Sequence, residues 1–193
     1  RIYMAQDNII AQIGHPILRK KTKNVPLHDI KTLMIKNILK KLIKVMRKAK
    51  GLGLAANQIF YPYRICVIES LNNQRYKHFP NISLKVLINP TIEILNKKHT
   101  FQSFEGCLSI PLLRGMVTRY KKIKVDYFNS NAERVSEIID GLASAVYQHE
   151  IDHLNGILFT DRVCNKKSLM TLKTYKEFYE KDYIKLLKQK KLI

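Results

Sequence analysis

The sequence predicts an α+β fold, with antiparallel β-sheets packed around a central buried helix and further helices towards each end. Three observations carry this. Apolar residues repeat at helical spacing early and late in the chain, short β-patterned runs fill the middle, and Gly141 to Asn155 is apolar on most sides. The order is helix, several strands, buried helix, terminal helix, and not alternating βαβ units. With 193 residues, the chain reads as a single domain over 1–193, long enough to bury a core around a site.

Gly14-His15-Pro16-Ile17-Leu18-Arg19 reads as a turn, and Val25-Pro26-Leu27-His28-Asp29 leads into a helix from about Ile30 to Lys48. There Ile35, Ile38, Leu39, Leu42, Ile43 and Met46 form an apolar stripe, with Lys36, Lys40, Lys41 and Lys44 on the solvent side. Gly51 and Gly53 break that helix. Strands are expected over Arg64 to Glu69 and Lys85 to Ile88, separated by a polar loop from Leu71 to Ser83. Further strands are expected over Thr91 to Leu95, Ile123 to Phe128 and Arg134 to Ile138, the last two joined by the turn Asn129-Ser130-Asn131. The buried helix Gly141 to Asn155 stops at Gly156. After Asp161 and Arg162 a basic terminal helix is expected over about 166–191, with Leu169, Leu172, Tyr179, Tyr183 and Leu186 as its stripe.

The formal charge is +20, from 35 basic and 15 acidic residues, so nucleic acid or another anionic surface should attract the protein. Heavy use of Lys, Ile and Asn is also what an AT-rich genome produces through codon bias. Cys66, Cys107 and Cys164 are an odd number and do not resemble a disulfide framework, which favours a reducing compartment. No apolar stretch reaches the ~18 residues of a membrane-spanning helix, and the N-terminal stretch lacks the pattern of a secretory signal. The chain begins at Arg1 instead of Met, as a processed or truncated chain would.

Chemistry concentrates in His149-Glu150-Ile151-Asp152-His153. On a helix the two imidazoles lie one turn apart on one face and can reach a single cation, with Glu150 beside it. A catalytic centre of this type needs a third protein ligand. The third histidine of metzincin peptidases is excluded, because position 159 is Phe. Glu177 or Glu180 could serve as in thermolysin-like peptidases, although both read better as solvated helix charges. Cys107, in Phe104-Glu105-Gly106-Cys107-Leu108-Ser109-Ile110-Pro111, offers a thiolate; a lone cysteine is more often an apolar core residue.

Taken together, Gly51-Leu52-Gly53-Leu54-Ala55-Ala56-Asn57-Gln58, Glu105-Gly106-Cys107-Leu108-Ser109 and Gln148-His149-Glu150-Ile151-Asp152-His153 resemble the three signatures of peptide deformylase, in order. Gly14 to Val25 is similar to the family's N-terminal segment, and the resemblance covers about residues 10–165. It implies a hydrolase of protein biosynthesis that removes the N-formyl group from the N-terminal methionine of nascent polypeptides, releasing formate. The implied ligands of one divalent metal ion are Cys107, His149 and His153. Fe(II) is the implied native metal, although Zn, Ni or Co suits the same donors. Glu150 is the implied general base and acid; Gln58 and the Leu108 N–H are the implied oxyanion donors. Gly53 and Gly106 would hold an extended peptide, and Arg114 stands where the family has an arginine near its site. Leu112-Leu113 before it is more apolar than the polar pair common in bacterial members. Leu52, Leu142, Ala145 and Val146 are candidates by position for the methionine pocket.

Asp152 is expected to make a supporting polar contact. His15, His28, His78, His99, Cys66 and Cys164 are expected to be structural. Competing functions are a zinc peptidase with a glutamate ligand and a non-catalytic ribosome- or RNA-binding protein suggested by the lysine-rich terminal helix. Nascent formylated peptides, and the ribosome through the basic surface, are the expected partners; DNA and membrane are not. Deleting residues after Lys167 is expected to weaken ribosome association more than hydrolysis of a short peptide. Translation with formylated initiators implies a plastid or mitochondrion in a eukaryote and the cytoplasm in a bacterium, not secretion.

Overall fold

The structure, a computed structural model, describes residues 9–71 and 76–193. Residues 1–8 of the expected single domain, and residues 72–75 of the expected polar loop, lie outside the described residues.

The first long helix, α1 (Leu33–Lys48), begins three residues later than expected because Thr32 caps it, accepting from the Ile35 N–H. Its stripe of Ile35, Ile38, Leu39, Leu42 and Met46 is buried as predicted. Among the described residues eight strands follow: β1 (Gly53–Ala55), β2 (Ile65–Ile68), β3 (Lys85–Ile94), β4 (Thr100–Cys107), β5 (Ile110–Tyr120), β6 (Lys122–Phe128), β7 (Arg134–Asp140) and, far downstream, β8 (Met170–Thr171). One sheet has the order β1-β2-β3-β6-β7 and the other β4-β5-β8, with antiparallel pairing between the named strands.

Four residues of β2 are buried on both faces. Ile65 and Val67 pack with α1, whereas Cys66 and Ile68 pack with Tyr147, Ile151 and Leu154 of α2 (Gly141–Leu154). The five-stranded sheet is thus covered on one side by α1 and on the other by α2. That explains why α2 is apolar nearly all round: all but two of its residues, Ala143 and Val146, are buried. Asp140 accepts from the Gly141 N–H at its start, and Gly156 takes φ +75° just beyond its end.

Several expectations need correction. Lys85 to Ile88 and Thr91 to Leu95 form one strand; its register shifts at Asn89 and Pro90, where Asn89 adopts φ +54°, and that irregularity mimics a break. Strands β4 and β5 were not anticipated. The buried residues of β4 are Phe101, Ser103, Glu105 and Cys107, and those of β5 are Ile110, Arg114, Gly115, Val117 and Arg119; four of these nine carry polar side chains, so apolar alternation is lost. The Gly-rich stretch does more than break α1: Gly53–Ala55 is an edge strand.

The terminal helix is also not continuous. Met170–Thr171 pairs with Leu113 and Arg114 of β5, and the helix proper runs over 172–189 with a π-turn at Tyr175–Tyr179. Tyr183 is buried as expected, but the wider turn shifts the phase so that Tyr175 and Leu187 are buried while Tyr179 and Leu186 are exposed. Among the described residues no helix is long and apolar enough to cross a membrane.

Candidate metal centre

The β4–β5 hairpin turns tightly, Cys107 pairing with Ile110, and delivers the cysteine to α2. Cys107 Sγ lies 3.2 Å from His153 Nε2, which lies 3.2 Å from His149 Nε2. All three residues are buried, and among the described residues they form the one group of three or more potential metal ligands, the ligand atoms all within 4.8 Å of one another. Burial works to raise the Cys107 thiol, but the two imidazoles hold it well below its ordinary value. His149 Nδ1–H donates to Glu105 Oε2 at 2.9 Å, which turns its Nε2 lone pair towards the cluster. One soft thiolate and two convergent imidazole nitrogens fit a divalent transition metal. Glu177 is exposed and Glu180 stands on a cavity wall; neither belongs to the group, so the structure does not favour a glutamate third ligand.

Glu105 is held in turn. Arg119 grips both its oxygens, at 2.7 and 2.9 Å, and reaches Asp152 at 2.6 Å, while Arg162 contacts the same aspartate from outside. Burial works to raise the Glu105 carboxyl, yet Arg119 and His149 bring it down to about 2. The chain His149, Glu105, Arg119, Asp152 ties the hairpin to α2 and sets the distance between the cysteine and the histidines. The expected supporting contact of Asp152 is therefore part of a larger buried network. Glu105 and Arg119 were missed as members of it; Glu105 lay inside a signature, but nothing in the sequence pairs Arg119 with it.

Glu150 is 4% exposed, and its Oε2 is a buried atom with no hydrogen-bond partner. Burial pushes its carboxyl up to about 7, against the pull of His149 and His153. Gly53 makes room for it: a Cβ there would lie 2.5 Å from Glu150 Oε1. At Gly106 a Cβ would lie 1.6 Å from the Arg114 guanidinium. Both glycines thus admit side chains of this same chain. Arg114 is buried and donates to the Leu113 carbonyl and the Tyr76 hydroxyl.

Gln58 is buried at the end of a short helix, Ala56–Ile59. Its Oε1 accepts from the Ala55 N–H at 2.8 Å, which orients the amide so that Nε2 donates to Ser109 Oγ at 3.0 Å and lies 3.5 Å from Cys107 Sγ. Asn57 beside it donates to the His153 carbonyl at 2.7 Å. Neither Ser109 nor Asn57 was singled out from the sequence, although both lie inside its signatures.

A cavity of about 330 Å³ opens onto this cluster. Leu52, Gly53, Gln58, Gly106, Cys107, Leu108, Arg114, Leu142, Ala145, Val146, His149 and Glu150 all line it, so the structure gathers every sequence-predicted site residue there except His153, which lies beneath. His78, expected to be structural, also lines it, as do residues of the terminal helix. Deleting residues after Lys167 would also remove that part of the cavity wall.

A donor set of this kind, beside a buried carboxylate and an apolar cavity, belongs to the metal-dependent hydrolases. Known proteins narrow the class. The polypeptide deformylase family matches residues 8–169. A peptide deformylase of Aquifex aeolicus is 38% identical over 188 residues, which is 97% of this chain and 100% of the relative. The chloroplastic/mitochondrial peptide deformylase 1A of Arabidopsis thaliana is 36% identical over 167 residues, 80% of this chain and 60% of the relative. Among solved structures, a class I type b peptide deformylase of Acinetobacter baumannii, crystallised with Met-Ala-Ser bound, is 33% identical with a TM-score of 0.75 over 80% of this chain and 96% of that one. The chain belongs to the polypeptide deformylase family.

Proposed function

We propose that the protein, acting as a single domain over residues 1–193, hydrolyses the N-formyl group of N-terminal methionine on newly synthesised polypeptides. The observation that carries this reading is the convergence of Cys107 with His149 and His153 beside the unpartnered carboxylate of Glu150. Cys107, His149 and His153 hold one divalent metal ion, which we assign as Fe(II) from the family resemblance. When bound, the cation supplies Lewis acidity towards a carbonyl oxygen and towards water.

The residues do the rest. Glu150 takes a proton from the attacking water as its oxygen adds to the formyl carbon, then passes the proton to the amine nitrogen as the C–N bond breaks, leaving formate and a free amino terminus. Burial, which disfavours the charged carboxylate, favours its taking up the proton. Negative charge gathers on the formyl oxygen, and the Gln58 amide with the Leu108 N–H stabilises it. Gly53 lies on an edge strand to which an extended peptide can add, with Gly106 and Arg114 on the facing hairpin. Leu52, Leu142, Ala145 and Val146 take the methionine side chain. Met-Ala-Ser in the Acinetobacter baumannii relative has the form of a deformylated product, which supports this use of the cavity.

Exposed lysines at 173, 176, 181, 185, 188, 190 and 191 favour residence near ribosomal RNA, where nascent substrates emerge. We assign the protein to a plastid or mitochondrion if its source is eukaryotic and to the cytoplasm otherwise.

Anaerobically prepared protein should release formate from formyl-Met-Ala-Ser and carry iron in the same sample; iron-loaded protein that releases none would sink the proposal. Cys107→Ala should lose metal while Glu177→Ala keeps it. For Gln58→Leu, kcat should fall by about 10²-fold with little change in KM. A rise in KM at constant kcat would remove Gln58 from the oxyanion role.

A further inference from the structure

Residues beyond 169 fall outside the family match, yet they build one wall of the substrate cavity: Leu172, Tyr175, Lys176, Glu180 and Tyr183 all line it. Tyr175 and Tyr183 are buried, and each places its ring centroid 5.2 Å from that of Phe104 on β4, Tyr183 edge-on and Tyr175 tilted. These rings pack in one apolar cluster with Leu142 and Ala145 of α2, two of the residues that the methionine pocket uses. The terminal helix and the pocket therefore share a wall.

Both ends of that wall are fastened next to the metal-binding residues, one to the strand that follows Cys107 and the other to the helix that carries His149 and His153. At its start, Met170 and Thr171 pair with Arg114 and Leu113 on β5, the strand that follows Cys107. At its end, the Leu192 carbonyl accepts from the Leu142 N–H at 2.8 Å, in the first turn of the helix that bears His149 and His153. Gly141 adopts φ +63°, and a Cβ there would lie 2.6 Å from the Leu192 oxygen, so the glycine is what admits this closure. Leu187 and Leu192 are buried behind it. A helix pinned in this way keeps a fixed distance from α2, and fixed distance makes an aromatic pair a ruler instead of a flexible cover.

We propose that the terminal helix over 172–189 is a specificity element: Tyr175 and Tyr183, locked on Phe104, end the pocket and limit the length and girth of the first side chain it accepts. This rests on the deformylase reading of the cavity. Shortening Tyr175 opens the closed end, so discrimination between substrates should change. A hydrophobic pocket distinguishes apolar side chains through fit alone, at roughly tenfold or more for a misfit group.

The test compares kcat/KM for formyl-Met-Ala-Ser and formyl-Phe-Ala-Ser, and the calorimetric affinities of Met-Ala-Ser and Phe-Ala-Ser, in the metal-loaded protein and in Tyr175→Ala, Tyr175→Leu and Phe178→Ala. Phe178 is exposed on the same helix and does not line the cavity. In Tyr175→Ala the methionine-over-phenylalanine ratio should fall by about tenfold, mainly through KM, and the affinities should follow. Tyr175→Leu should shift in the same direction by less, and Phe178→Ala should match the parent. Unchanged ratios in both Tyr175 variants would overturn the proposal, and should the alanine variant fail to fold, an unchanged ratio in Tyr175→Leu alone would do so. No formate from the parent protein would instead strike at the deformylase reading, while the tripeptide affinities would still judge the wall.

Discussion

Glu150→Gln should lower turnover by about 10²–10⁴-fold while metal content stays at the level of the parent protein. Glutamine keeps the shape of the side chain, so the clearance that Gly53 provides is still filled and packing is preserved. What disappears is the ability to take up a proton. Glu150 is the buried carboxylate of the cavity with an oxygen left unpartnered, whereas Glu105 is saturated by Arg119 and His149 and held at about 2, far too acidic to accept a proton near neutrality. Glu105 therefore cannot substitute for it. Formate release and metal analysis on one preparation decide the matter: near-parent turnover would remove Glu150 from the proton-transfer role, and loss of metal would reassign it to holding the site.

Arg119→Met should destabilise the fold by about 3–5 kcal/mol, the cost typical of removing one partner from a buried ion pair. Arg119 is 3% exposed and spans two carboxylates from different elements, Glu105 on β4 and Asp152 on α2. Burial opposes its charge, and those two carboxylates outweigh the opposition. Methionine fills most of the volume but leaves Glu105 without its bidentate partner, while Asp152 keeps Arg162. Glu105 is also what orients His149, so metal affinity should fall along with stability. Urea denaturation and a metal-chelator competition would measure the two effects. A loss below about 1 kcal/mol would mean that the network is dispensable for folding.

The contrast between the two predictions also marks how far the sequence could be read. Glu150 was legible because it sits in a contiguous pattern whose spacing has a helical meaning: residues 149 and 153 share a face of α2 whatever surrounds them. Gln58 and Cys107 were legible through motif resemblance and not through periodicity. Arg119 was invisible, because its role depends on a hairpin whose inward face is polar. Strands β4 and β5 bury Ser103, Glu105, Arg114 and Arg119, so their alternation carries no apolar signal and neither strand was anticipated. Glu105 and Arg119 can be buried there because they satisfy each other and reach His149 and Asp152 of α2, while Arg114 donates to the Leu113 carbonyl and the Tyr76 hydroxyl. Similarly, the stripe of the terminal helix was only partly legible: Tyr183 is buried as expected, but the π-turn leaves Tyr179 and Leu186 exposed.

From the sequence alone came the α+β order of elements, the buried character of α2, the histidine pair with its carboxylate, and, through three motifs, the family and the metal donors. These are properties of local spacing and side-chain type, which survive without knowledge of what lies across the molecule. Only the tertiary structure decided that the hairpin is locked to α2 through Glu105, Arg119 and Asp152, that the glycines at 53 and 106 yield space to Glu150 and Arg114, and that the terminal helix lines the cavity beside Cys107, His149 and Glu150. Each of these joins residues far apart in the chain, and such contacts follow from packing and mutual desolvation, which no local pattern encodes.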